Sequence, residues 1–297
     1  MCPPNTKVFL PDLPNDPPTA IQDAIYQMAS LAPHLEPVPH IAASRVKSRH
    51  QIKENIRAWQ LAADQTHARR INQVLIVRGD AGLHDPNALR TPLVKKTNDQ
   101  KLFKTSLELL QSGILEEGGI SKVGLCGHPE GLGKMNAREA LSHLIEKLQT
   151  AEKKGLSARV VTQFSFHTTA LTDFVKQVNA AGFKVPLSLG FPGPAQSTDL
   201  RKMARICDVS MPSVEEAHKW PVEGLNHLAQ WYTDPHREVD VGELELHLYP
   251  FGGLRRTLMW LAYEEKRSHS CDGTWWNTLG VPSLPLELSE WARGLDV

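Results

Sequence analysis

Seven polar residues fall at the ends of short apolar runs: His40, Arg78, Asp80, His128, Glu130, Gln163 and His247, with His167 just beyond them. Where strands run parallel, their C-terminal ends form one mouth, and side chains delivered there from several strands bind and react. Arg78 and Asp80 flank Gly79, so a ligand can approach the backbone closely between a guanidinium and a carboxylate. A carboxylate in that place pairs with a ring N–H or holds a ring nitrogen that takes up a proton. Gln163 carries both an acceptor and donors, which suits the amide-like edge of a fused heterocycle such as a pterin or a flavin. Glu130, after Pro129, is open to three roles: general acid or base, ribose ligand, or salt-bridge partner. Each of these residues alone reads equally well as a hydrogen-bonded loop residue. The set is more specific than its members.

Other chemistries find less support. No G-x-G-x-x-G follows a strand, and there is no Walker A loop. GFPGP (190–194) and FGG (251–253) read as turns that end strands rather than as phosphate loops. His40, Asp80, His128 and His247 would make the mixed imidazole and carboxylate site of a metal-dependent hydrolase, but no H-x-H or H-E-x-x-H pair supports a metal locally. The cysteines, Cys2, Cys126, Cys207 and Cys271, contain no C-x-x-C pair, which argues against a zinc knuckle and for a reducing, cytoplasmic setting. In 297 residues, 33 Lys+Arg balance 33 Asp+Glu, which excludes general binding to nucleic acid or to an anionic membrane through excess basic charge. No apolar run reaches the roughly 18 residues of a membrane span. No charged-then-apolar leader opens the chain.

The elements that must position the polar residues alternate strand and helix. Strands are expected at Lys7–Leu10, Val38–Ala42, Gln73–Val77, Lys122–Cys126, Arg159–Phe164, Val185–Gly190 and Leu244–Tyr249, with a short one at Asp208–Met211. A first helix starts near Thr19, with Ala20, Ala24 and Met28 on one face. Others are expected at Ser48–Ala63, capped by Ser48; at Leu102–Leu110; and at Asn136–Lys154, closed by Gly155. Thr169–Ala181, closed by Gly182, Ser197–Cys207, Val214–Tyr232 and Gly253–Glu265 complete the set. The polar stretch Ala81–Lys101 reads as a long loop. This alternation predicts an α/β fold, a TIM-type (β/α)8 barrel over residues 1–270, with an atypical or incomplete first strand. Residues 271–297 hold three of the seven tryptophans and are expected to pack on the barrel or on a partner chain, such as a second copy in a homo-oligomer.

Five strand ends carry a resemblance to the methylenetetrahydrofolate reductase family of flavin-dependent TIM barrels, over about Lys7 to Trp260. PHIAA (39–43) resembles the family's P-H-L-T-C, VRGD (77–80) its L-R-G-D, and GHPEG (127–131) its Y-P-E-x-H. VTQF (161–164) resembles its I-T-Q-F, and LHLYPF (246–251) its final L-H-F-Y. The resemblance implies bound FAD, a tetrahydrofolate-type substrate, and hydride transfer from reduced flavin to the methylene carbon of methylenetetrahydrofolate. It implies that His40, Arg78 and Asp80 contact FAD, Asp80 near the reactive edges of flavin and folate, and that Gln163 binds the pterin. Lys147 would correspond to a flavin-binding lysine. Glu130 and His247 match motif positions, His247 on the substrate side.

Departures from the family pattern bear on the chemistry. The family opens with a strand of the type F-E-F-F-P-P, whose Glu is the general acid of folate reduction. Here VFLP (8–11) aligns with the family's second strand, so that Glu has no counterpart. The flavin-contacting Thr of the second strand gives way to Pro11 or Asp12, the Tyr before P-E to His128, and the Asp ending T-Q-F-F-F-D to His167. Asp80 remains the expected catalytic carboxylate, and proton delivery would fall to His128, Glu130 or Asp12. A folate-binding protein without redox activity is the alternative. A missing strand would be replaced by Asp208–Met211 or by the C-terminal tail.

Overall fold

Short runs of branched apolar residues form strands, most of them buried on both faces, and the amphipathic runs between them form the helices that cover those faces. A computed structural model describes residues 6–13, 16–66, 70–78, 102–236, 239 and 242–269. Asp80, the 81–101 segment and the 271–297 tail lie outside the described residues. The first part of the chain runs β1 (Lys7–Leu10), α1 (Ala20–Leu31), β2 (Glu36–Ala42), α2 (Arg49–Gln65), β3 (Gln73–Val77), α3 (Ser106–Gln111), α4 (Ile114–Glu117) and β4 (Lys122–Gly127). It continues with α5 (Ala137–Lys153), β5 (Ser157–Phe164), α6 (Thr168–Ala180), β6 (Leu187–Pro192), α7 (Ser197–Cys207), α8 (Val214–Thr233), β7 (Leu244–Tyr249) and α9 (Leu254–His269).

Two compact units contain these elements. The N-terminal unit comprises Pro4–Cys126 with Glu146–Arg159, and the C-terminal unit comprises Gly127–Ile145 with the described residues from Val160 onward. In the N-terminal unit β1, β2, β3 and β4 pair parallel in chain order. The C-terminal unit pairs β5, β6 and β7 the same way. Parallel neighbours joined through helices are the β/α alternation of a TIM-type α/β fold. An eighth strand is not among the described residues.

Burial explains why these segments hold. In β3, Val74, Leu75 and Ile76 are at most 4% exposed. On α2, Ile52, Ile56, Trp59, Ala62 and Ala63 recur at helical spacing and are all buried, while the Ser48 hydroxyl caps the helix by accepting from the Gln51 amide at 3.0 Å. Each such Ile or Trp side chain contributes roughly 1.5–3 kcal/mol when removed from water.

Several boundaries differ from expectation. The buried stripe of α1 is Ile21, Ile25 and Ala29, one residue round from Ala20, Ala24 and Met28. Leu102–Lys104 precede α3 rather than belonging to it, because the Thr105 hydroxyl accepts from the Glu108 amide at 3.1 Å and starts the helix there. β6 begins at Leu187 and continues through Gly190 and Phe191 to Pro192. Asp208–Met211 is not a strand. Asp208 is left-handed (φ 54°) and its carboxylate accepts from the Gly133 amide at 2.9 Å. The Ser210 amide is used by a side chain, Glu130, instead of a neighbouring strand.

Candidate functional site

The N-terminal unit carries His40, Arg78 and Lys147 on or against three adjoining strands. His40 lies on β2 opposite Leu75 of β3, with Phe9 of β1 edge-on to its ring at 6.1 Å between centroids. Arg78 directly follows β3, and its carbonyl accepts from the Ser44 amide at 2.9 Å. That bond clips the end of β3 to the single 3-10 turn Ala43–Arg45 that follows β2. Lys147 reaches inward from α5, and its ammonium donates to the Cys126 carbonyl near the end of β4 at 3.4 Å. Burial pushes the Lys147 amine below its ordinary range, the Cys126 thiolate opposing that shift. Burial likewise pushes the Cys126 thiol up, against the pull of Lys147.

Two further features of these strand ends escaped the sequence reading. The Ser44 side chain is buried, and its hydroxyl has no hydrogen-bond partner among the described residues. Asp12, just past β1, is ion-paired with Arg45 at 2.5 Å and also accepts from the Ala42 amide at 3.3 Å. The Asp12 carboxylate is therefore engaged on both oxygens. No local signal marked Arg45, because its partner lies 33 residues earlier in the chain, across a helix and a strand.

The C-terminal unit carries His128, Glu130, Gln163, His167 and His247. β5 shifts register against β6 between Val161 and Phe164. In that irregular stretch the Gly190 amide donates to the Thr162 hydroxyl at 2.8 Å, and the Tyr249 hydroxyl donates to the Thr162 carbonyl at 2.9 Å. Bulges of this kind re-aim side chains beside binding sites. Gln163 sits within it, and its side-chain oxygen accepts from the Phe164 amide at 3.1 Å. The amide nitrogen and the oxygen's second lone pair remain for a ligand.

On β7, Glu245, His247 and Tyr249 share one face by the two-residue period of a strand. Glu245 accepts from the Ser188 hydroxyl of β6 at 2.7 Å. The His247 ring stands edge-on to Tyr249 at 4.7 Å, and Gly190 is its register partner on β6. Burial pushes the His247 imidazole down to about 4, with Glu245 pulling the other way. At neutral pH it is an uncharged ring with one donor and one acceptor.

Glu130 and His167 are used within the loops. The Glu130 carboxylate accepts from the Ser165 hydroxyl at 2.6 Å and from the Ser210 amide at 2.9 Å. The His167 amide donates to the same Ser165 hydroxyl at 2.9 Å, and His167 precedes the first turn of α6. His128 is half-buried one residue past β4, its carbonyl accepting from the Gly131 amide at 3.1 Å. An apolar cavity of about 210 Å³ opens at the end of β6, between Pro192, Pro194, Leu200, Ala217 and Pro221; none of its lining side chains is polar. Among the described residues, no three His, Cys, Asp or Glu side chains converge as metal ligands do.

The C-terminal unit offers a side-chain amide and a neutral imidazole. The N-terminal unit offers a buried amine, an imidazole and an unsatisfied hydroxyl. Residues 22–219 match a family model described as methylenetetrahydrofolate reductase.

Proposed function

The chain belongs to the methylenetetrahydrofolate reductase family, and on that premise we propose that it binds a tetrahydrofolate-type substrate and interconverts methylenetetrahydrofolate and methyltetrahydrofolate. The observation that carries the reading is Gln163. Its oxygen accepts from the Phe164 amide, which orients the side chain and leaves the amide nitrogen as a donor suited to a pterin ring acceptor. His247, held neutral by burial, adds a second polar contact from the same three-strand unit without a charge to desolvate.

The N-terminal unit fits a flavin nucleotide. The buried Ser44 hydroxyl lacks a partner, and the Lys147 amine has only a long bond to a carbonyl, so both gain from a polar ligand. His40, Arg78 and Lys147 would hold FAD together with Asp80, whose carboxylate balances charge near the reactive ring. Bound flavin supplies the hydride chemistry; the chain's residues bind, orient and exclude water. Proton delivery rests with His128 in this scheme, since Asp12 is tied to Arg45, and Glu130 to Ser165 and Ser210.

That same engagement of Asp12 and Glu130 favours a second reading, a folate-binding protein without turnover. Anaerobic mixing of the purified protein with FAD and methyltetrahydrofolate separates the two. Bleaching of the flavin absorbance is expected for the oxidoreductase. Calorimetric binding of the folate with no bleaching, and no turnover with any reductant, establishes the second reading instead.

A further inference from the structure

Every polar group of Ser165 is spent on a different part of the C-terminal unit. Its side chain is fully buried, 0% exposed, immediately after the last residue of β5. The hydroxyl donates to Glu130 at 2.6 Å and accepts from the His167 amide at 2.9 Å. The backbone amide donates to the Gly190 carbonyl of β6 at 3.2 Å, and the backbone carbonyl accepts from the Trp220 indole at 3.0 Å. Trp220 is itself buried and stacks on Phe191 at 6.2 Å and 18°. Glu130 carries the linkage onward to the Ser210 amide. The loop after β4, β6, the start of α6 and α8 therefore meet at one serine two residues after Gln163, and Glu130 ties in the segment between α7 and α8.

A buried hydroxyl bonded to a carboxylate is among the stronger hydrogen bonds in a protein. Losing one partner leaves the other desolvated, so the pair resists opening. Each Glu130 oxygen accepts from a donor whose position is set by the fold.

We propose that Ser165 is a positioning residue that fixes the end of β5, and hence the aim of Gln163, and that Glu130 acts as its tether rather than as the proton donor. The inference rests on the folate-binding reading for its functional consequence, though not for its structural one. Glu130→Gln keeps an acceptor for the Ser210 amide and a polar partner for Ser165. Glu130→Ala and Ser165→Ala remove the bond.

The test combines methyltetrahydrofolate binding and turnover with amide hydrogen exchange at residues 163–167. Expected are a loss of folate affinity of roughly tenfold in Ser165→Ala and Glu130→Ala, most of it restored in Glu130→Gln, and no added loss when Ser165→Ala is combined with Gln163→Ala. Faster exchange at 163–167 accompanies the two alanine variants only. Additive effects of Ser165→Ala and Gln163→Ala overturn the positioning role. A turnover loss in Glu130→Gln as deep as in Glu130→Ala, with affinity kept, makes Glu130 the proton donor and overturns the tether. If the wild-type protein binds no reduced folate, the functional reading fails by itself. The positioning claim is then judged on exchange alone, and unchanged exchange in both alanine variants refutes it.

Discussion

A Cβ placed on Gly190 would stand 2.7 Å from the carbonyl oxygen of Gln163. β6 therefore passes β5 at a distance that only glycine permits, at the register irregularity that contains Gln163. The opposing atoms are backbone, so they cannot swing aside.

Gly190→Ala is expected to destabilise the protein by roughly 1–3 kcal/mol through overpacking and to weaken folate binding more than a remote substitution of equal stability cost. Urea denaturation with a parallel folate titration checks it. A variant as stable as wild type with intact binding would show that β5 and β6 separate easily here.

His247 makes stability fall as pH is lowered. Its folded-state value is depressed to about 4 from the ordinary 6.5, so the unfolded chain takes up the proton first. The contribution is complete above pH 6.5, lost progressively between 6.5 and 4, and totals no more than ~3 kcal/mol. Comparing urea midpoints at neutral and mildly acidic pH, wild-type against His247→Asn, should show a shallower acid slope in the variant. Equal slopes would mean the imidazole is solvated in the folded protein.

Lys147→Met should leave the fold intact or slightly more stable, because burial already disfavours the ammonium there. Flavin binding should weaken by about tenfold or more if the amine holds the nucleotide. Thermal melting and FAD fluorescence quenching measure the two effects separately. Unchanged FAD affinity would remove Lys147 from the cofactor site.

Asp12→Asn separates a structural ion pair from a proton donor. The Asp12–Arg45 pair is partly exposed, with side chains 37% and 23% accessible, so its loss should cost about 1 kcal/mol or less. The pH profile of turnover should keep its shape. Loss of the limb reporting the protonated acid would place Asp12 in the chemistry after all.

Strand positions were legible wherever apolar runs were bounded by turn residues. KVFL, QVLIV and LELHLY become β1, β3 and β7 without a shift at either end. β6 was harder. GFPGP looks like a turn, yet Gly190, Phe191 and Pro192 stay in the strand because glycine is demanded by the close approach of β5. Asp208–Met211 has a strand-like apolar alternation, and two hydrogen bonds to the loop after β4, one through the Asp208 carboxylate and one to the Glu130 carboxylate, override it. At the site, residue types at strand ends were readable, but their partners were not. Ser165 and Ser210 lie 35 and 80 residues from Glu130, distances over which one sequence carries no pairing signal.

Gly131, in the loop after β4, has φ 97°, and a Cβ there would meet the Met135 carbonyl oxygen at 2.4 Å, while Leu132 and Met135 bridge each other across the loop. Two residues on, Gly133 and Lys134 are exposed, with open space around Gly133. Mutational drift along this loop should be sharply uneven: position 131 frozen, Lys134 free to vary. The same contrast makes Lys134 a natural attachment point for a fluorescent or affinity label that leaves the loop's shape undisturbed.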